Sequence, residues 1–313
     1  VLEASMIVVG DEILGGYVTD VNSPLLARVL RENGVGLSCV HVVADDLAAI
    51  DEALGLELAR ARPRVVVTSG GVGSTPDDLT FEAVAASLGR GLVTDPTIGA
   101  KVDGALAWSA EQGFPVSDEF TRHLLRMARI PEGSRLVERS DGWAPGVLVD
   151  VEGGVDAGGV TVAILPGVPS EFAALLTEAV APEVLAGRNP TPYVTELSHG
   201  YPESVLNLAF VEVMERYPDV KLGSYPGRPS IVRLSGVRSE VEAAAARIAA
   251  VLAELDASDA GQRLAAARAA RAARATGTRS RSATASAAES ATASAAESAT
   301  ASAAGSATDE EEA

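Results

Sequence analysis

The segment Arg64-Val65-Val66-Val67-Thr68-Ser69 runs directly into Gly70-Gly71-Val72-Gly73. Its valines fall at both parities, whereas a strand with one wet face alternates apolar and polar residues. The run therefore predicts a central parallel strand, covered on both faces, that ends in a glycine loop. Its surroundings fit. Met6–Val9 is a short buried-type strand leading into the loop Gly10–Gly16. A helix follows, with Ser23 as its expected cap, Pro24 in its first turn, Leu25, Leu26, Val29 and Leu30 on one face, and Gly34 as its stop. Val35–Val43 reads as a strand, and Asp45-Asp46 open a helix to about Ala61.

Helices are predicted at about 79–88, 96–112 and 118–128. Gly146–Val151 and Val160–Leu165 read as strands of one hairpin, and Leu165–Glu171 turns into a helix ending near Leu185. This alternation predicts an α/β fold: three layers around a mostly parallel, Rossmann-like sheet. Gly187–Pro192 reads as a linker to a small α+β domain with strands at 193–198, 220–224 and 231–234 and helices at 203–216 and 240–255. Beyond it, an Arg/Ala stretch gives way to eight-residue Ser/Thr/Ala repeats. Such repeats bury too little apolar surface to offset the entropy of ordering them. The expected organisation is 1–188, 189–257 and a disordered tail, 258–313.

Net charge is −18, with 43 acidic against 25 basic residues. That balance argues against general nucleic-acid binding, which needs a basic face. No segment has the length and continuous apolarity of a transmembrane helix. The opening Val1–Met6 lacks the basic region of a signal peptide. A cytoplasmic homo-oligomer with no nucleic-acid or membrane partner is expected. Cys39 is the one cysteine, so no intrachain disulfide can form, and a small core residue is expected there.

The glycine loop is the strongest chemical signal. Backbone N–H groups without side chains around them can approach an anion closely, and the following helix adds its positive end. Ser69, Gly70, Gly71, Gly73 and Thr75 are the expected phosphate-binding residues, and Asp77 and Asp78 beside them suggest a metal. The loop is neither a nucleotide P-loop nor the dinucleotide fingerprint, since both lack their defining spacing here. A second group, Gly10, Asp11 and Glu12 with Asp20 and Asn22, also follows a strand. Asp45 forms a third, where helix capping competes with function. Pro166, Gly167 and Glu171 form a fourth. His41, His123 and His199 are dispersed, without metal-ligand spacing to one another. With no nucleophile elbow and no Ser-x-x-Lys pair, chemistry would rest on carboxylates and Mg²⁺ acting on phosphate.

The ordered set Gly10-Asp-Glu-Ile-Leu, Asp20-x-Asn22, Val43-Ala-Asp-Asp46, Ser69-Gly-Gly-Val-Gly, Pro76-Asp-Asp-Leu-Thr80 and Leu165-Pro-Gly-Val-Pro-Ser-Glu171 resembles the molybdopterin-binding domain family. It is most similar there to the N-terminal part of the competence/damage-inducible (CinA) branch, over about residues 5–185. Leu222–Gly227 before Ile231 resembles the small KH-like domain that follows in those proteins. In the full-length branch an amidase domain comes next, where this chain has its tail.

The resemblance implies a small-molecule nucleotide or pterin ligand and catalytic roles for Asp45 and Asp78. It further implies ligand contacts from Gly10, Glu12, Asn22, Pro166, Gly167 and Glu171, and Mg²⁺ or another divalent cation near Asp11, Asp77 and Asp78. The implied activity is metal-dependent hydrolysis of a nucleotide pyrophosphate such as ADP-ribose. The alternatives are non-catalytic binding of molybdopterin or its adenylylated form, and molybdopterin adenylyl transfer. Val72 and Asp77 stand where the adenylyltransferases commonly carry threonine and arginine, which weighs against the last.

The charge imbalance generates a first prediction. Like charges oppose compaction, and raising ionic strength from 0.1 M to 1 M shortens the Debye length from ~10 Å to ~3 Å. The melting temperature should therefore rise with KCl. A thermal scan at fixed pH that is flat or falling with KCl would contradict this.

Overall fold

The computed structural model describes residues 1–137 and 145–267. They fall into two compact units that divide between Thr191 and Pro192. In the first, a six-stranded sheet is built from β1 (Glu3–Val9), β2 (Gly36–Val43), β3 (Arg64–Ser69), β6 (Arg135–Val137), β7 (Gly146–Val151) and β8 (Val160–Leu165). The order is β2-β1-β3-β8-β7-β6. β2, β1, β3 and β8 are mutually parallel, and β7 runs antiparallel to both neighbours. This is the predicted three-layer, mostly parallel sheet.

Strand parity sorts the core onto the two faces. Ala4, Met6, Val8, Val65, Val67, Ala163 and Leu165 pack with Leu26, Leu30 and Phe172. Ile7, Val9, Val66, Val162 and Ile164 pack with Ile50, Leu54, Val84 and Val102. The covering helices on the first face are α2 (Asn22–Glu32), which follows the single turn α1 (Asp11–Leu14), and α7 (Pro169–Leu175), the last continuing as wider, π-type turns over Leu176–Leu185. Pro182 lies within those turns, where it can donate no hydrogen bond. α3 (Leu47–Leu58), α4 (Thr80–Ser87) and α5 (Pro96–Glu111) supply the other face. All six residues of β3 are buried, as its sequence predicts.

Several elements differ from the sequence reading. Ser23 does not cap α2; its hydroxyl meets the Met6 sulfur, and Asp20 accepts from the Asn22 and Ser23 amides instead. The short strands β4 (Leu92–Thr94) and β5 (Arg129–Pro131) pair with each other and bracket α5 and α6 (Asp118–Arg126). Neither they nor β6 could be read from three residues each. Asn189 is no linker residue. Its side chain accepts from Leu2 N at 2.9 Å and donates to Leu2 O at 2.8 Å and Gly34 O at 3.0 Å.

The second unit holds β9 (Tyr193–His199), β10 (Lys221–Tyr225) and β11 (Ser230–Gly236) in an antiparallel sheet of order β10-β11-β9. α8 (Asn207–Arg216) and α9 (Arg238–Ala257) pack on it around Phe210, Val232, Leu234, Val241 and Ile248. The helix expected from residue 203 starts as a short 3₁₀ turn, Glu203–Val205. Residues 259–267, expected to begin the disordered tail, are helical, with Ser258 Oγ accepting from Gly261 N. The repeats lie outside the described residues. No helix among the described residues is long and apolar enough to cross a membrane.

Asn189 yields a test of the frame. Asn189→Ala leaves a buried amide and carbonyl of Leu2 without their partner. Unsatisfied buried groups of this kind cost ~1–3 kcal/mol each. A clear loss of stability on chemical denaturation is expected; an unchanged midpoint would show that the amide is dispensable.

Candidate functional site

The carboxyl ends of β1, β3 and β8 open onto one cleft of about 360 Å³. In an open parallel sheet this is the edge where loops and helix N-termini converge. The floor is backbone. Gly70 and Gly71 have φ of +102° and +66°, and a Cβ on Gly70 would lie 2.3 Å from Val9 O. One on Gly71 would lie 2.3 Å from Thr80 Oγ1. Thr80 locks the loop, its hydroxyl donating to Gly70 O at 2.8 Å and its amide to Gly71 O at 2.9 Å. Among the described residues, the backbone N–H groups of Gly71, Val72 and Gly73 carry no hydrogen bond.

Asn22, buried at the start of α2, ties two of the strand ends together. Its Nδ2 donates to Ser69 Oγ and to Gly167 O, each at 2.9 Å, and its Oδ1 is left without a partner. The role expected for Asn22 at the ligand thus has a structural side: it holds the β8 loop against the end of β3.

Asp45 and Asp46 have separated jobs. Asp46 caps α3 by accepting from Ala48 N and Ala49 N, both at 3.0 Å. Asp45 is free of capping; its Oδ2 accepts from Asp11 N at 2.8 Å. Burial pushes the Asp45 carboxyl above its ordinary 3.8, the Asp11 amide opposes this, and the charges of Glu12, Asp11 and Asp77 add to the rise. Asp78 does not cap the helix that follows it, for α4 has no side-chain cap. Its Oδ2 turns back onto Thr75, accepting from the amide at 2.8 Å and the hydroxyl at 2.6 Å.

Of the expected residues, Glu12, Asn22, Asp45, Ser69, Gly70, Gly71, Thr75, Asp77, Asp78 and Gly167 line the cleft. Gly10, Asp11, Gly73, Pro166 and Glu171 do not. Gly10 continues β1, its amide donating to Val43 O, and Asp11 contributes its backbone to Asp45. Gly73 gives Asp78 room, since a Cβ there would lie 2.7 Å from Asp78 Oδ2. Asp11, Asp77 and Asp78 are not gathered to within mutual metal-ligand distance.

The structure adds residues the sequence did not single out. Val8, Val9, Ile13, Val18, Thr19 and Val21 line the cleft beside the polar set, and Val168 and Pro169 complete the β8 side. Arg126, from the end of α6, braces the acidic loop by donating to Asp78 O at 2.8 Å, Thr75 O at 3.3 Å and Glu82 Oε1 at 3.0 Å. A contact 48 residues away in sequence leaves no local signal.

Comparison with known proteins gives the same picture. The model of the probable molybdopterin binding domain matches residues 5–186. A protein of Thermococcus kodakarensis is 33% identical over 223 residues, covering 71% of this chain and 85% of that protein. A CinA-like protein of Myxococcus xanthus is 32% identical over 257 residues, covering 79% of this chain and 58% of that one. This chain thus spans little more than half of that relative's length. The solved structure of the protein CinA from Thermoplasma acidophilum is 35% identical, with a TM-score of 0.45 over 56% of this chain and 94% of that one. With a family match over more than half its length, and with the glycine loop at the matched sheet edge, this chain belongs to the molybdopterin-binding domain family, among relatives that include CinA-like proteins.

Proposed function

We propose that the cleft binds a phosphate-bearing nucleotide and, with a divalent cation, hydrolyses its pyrophosphate, ADP-ribose being the model substrate. The observation that carries this reading is the pair of unpaired N–H groups at Gly71 and Val72, both residues lining the cleft together with its carboxylates. An anion cradle beside Glu12, Asp45, Asp77 and Asp78 would repel its own ligand unless a cation stood between them. Mg²⁺ suits that place, because it takes one or two carboxylates and fills its remaining positions with phosphate oxygens and water. No preformed three-carboxylate cage is then required. Asp77 and the free Oδ1 of Asp78 are the residues that would hold it. When bound, the ion would neutralise phosphate charge and polarise a water.

The chain's own groups fill the other roles. The loop amides would orient the phosphate. Asp45 Oδ1, the oxygen not held by the Asp11 amide, would accept the proton of the attacking water. Its raised pKa brings it nearer the working range of a general base. Water would add to one phosphorus, the bridging P–O bond would break, and ADP-ribose would leave as AMP and ribose 5-phosphate.

A second reading is binding of molybdopterin, or of its adenylylated form, without turnover. It is favoured by Asp78, whose Oδ2 is already engaged by Thr75 and so serves the loop as well as any ion. Incubation of purified protein with ADP-ribose and Mg²⁺ or Co²⁺ separates the two. AMP release that is lost in Asp78→Ala and falls at least tenfold in Asp45→Asn is expected. No AMP, or full turnover in Asp78→Ala, overturns hydrolysis, and micromolar binding of molybdopterin without turnover would support the second reading.

Asp45 also generates a pH prediction. Its pKa is raised in the folded protein, so the folded state holds that proton more tightly than the unfolded chain. Ionisation of Asp45 therefore opposes folding. The penalty sets in as pH rises from the ordinary 3.8 through the raised folded value, and is constant above it. Without ligand or divalent ion at pH 7, Asp45→Asn should raise the melting temperature. The gain should vanish below the ordinary carboxylate range. A variant that melts lower than wild type at pH 7 would contradict this.

A further inference from the structure

A second polar cluster lies apart from the cleft, on the outer strand of the sheet. Cys39 and His41 are two residues apart on β2 and share the face that packs toward α3. β2 is an edge strand, so this face is open on one side. The β1–β2 register skips Ser38 between Leu37 and Cys39, placing Ser38 and Cys39 against the same neighbours. A bulge of this kind re-aims side chains. Glu57, fully buried near the end of α3, meets them from the other side.

His41 Nε2 stands in contact with both of the other ligand-type atoms. His41 Nε2 lies 3.5 Å from Cys39 Sγ and 2.7 Å from Glu57 Oε1. The three ligand atoms are all within 4.8 Å of one another, the one such set among the described residues. With Zn–S near 2.3 Å and Zn–N near 2.0–2.1 Å, a tetrahedral site has an S···N edge of about 3.5 Å and an N···O edge of about 3.3 Å. The first is already in place, and the second needs an opening of roughly half an ångström. Cys39 is half-buried rather than sealed in the core, so an ion can reach it.

The carboxylate is also held in the way that metal-binding carboxylates are. Arg64, almost fully buried, donates to Glu57 Oε2 at 3.3 Å and to Ser38 Oγ at 2.8 Å. It thus fixes the oxygen that faces away from the cluster, as an outer-shell partner does. Oε1 is shared by His41 and by the partly exposed Arg60 at 2.9 Å. For Oε1 to reach an ion, Arg60 must swing away and the direct His41–Glu57 contact must open.

We propose that Cys39, His41 and Glu57 form a binding site for a zinc-class divalent cation, with a fourth position open to water. A thiolate, an imidazole and a carboxylate suit Zn²⁺ or Co²⁺ over Mg²⁺. Binding displaces the thiol proton and leaves the imidazole neutral, so affinity should fall as pH is lowered.

The site is independent of the cleft, and the test is built to separate the two. The full-length, reduced protein is titrated with Co²⁺ alone, and then with Zn²⁺ against a chromophoric chelator. The expected result is a near-ultraviolet thiolate-to-Co²⁺ charge-transfer band that Zn²⁺ abolishes. Cys39→Ser should remove the band while melting like wild type without metal, and His41→Gln, which keeps the thiol, should weaken Zn²⁺ binding about 10–100-fold. Asp78→Asn should leave both readouts unchanged. Absence of the band in wild type, its survival in Cys39→Ser, wild-type Zn²⁺ affinity in His41→Gln, or its loss in Asp78→Asn would each overturn the proposal.

Discussion

Backbone pressed on backbone at the ends of three parallel strands sets the conditions for everything else in the first unit. Val9 O lies where a side chain at Gly70 would stand, and Gly167 is close enough that a Cβ on it would sit 3.2 Å from Gly70 Cα. No side chain fits between these turns. The loop Gly70–Gly73 therefore lies close against the sheet edge, and the N–H groups of Gly71, Val72 and Gly73 carry no hydrogen bond. Thr80 and Asn22 hold that arrangement from either side, one bonded to Gly70 O and the other to Ser69 and Gly167. Their position makes the cleft floor rigid, and rigidity is what lets a few N–H groups act together on an anion.

The same floor collects negative charge. Asp45 feels Glu12 and Asp11 from the turn after β1 and Asp77 from the loop after β3. In a chain of net charge −18, such a concentration gains little relief from its surroundings. Arg126 neutralises part of it, but it is directed at the carbonyls and Glu82 behind the loop. Donors for an anion and carboxylates for a cation thus share one small space, and each makes the other useful only when a ligand brings both charges together.

The edge strand follows a different logic. Glu57 is fully buried, and burial alone would push its carboxyl up; His41 and Arg60 outweigh that and hold it below the usual range. A buried charge of this sort persists only when its partners are well placed. Arg64 binds it from beneath while reaching Glu3 and Ser38, so the cluster stitches α3, β1, β2 and β3 at one end of the sheet. The Cys39–His41 pair lies over the accessible side of that stitch.

Much of this was legible along the chain. The doubly apolar β3, the glycine loop, the capping helix starts and the order of acidic motifs are local patterns, fixed by period and by what glycine and proline allow. They were enough to foretell a parallel three-layer sheet and to place ten of the expected residues at one cleft. What they could not decide is which atom each side chain spends on the fold. Asp20 took the capping role expected of Ser23, Asp46 released Asp45 from capping, Asp78 turned inward to Thr75, and Asn189 became a brace for Leu2 and Gly34. Arg126 and the Cys39–His41–Glu57 cluster depend on residues brought together across the sheet or between strand and helix. Sequence determined the elements, because their periodicity is local. Tertiary structure decided the partners, because a hydrogen bond is made in space.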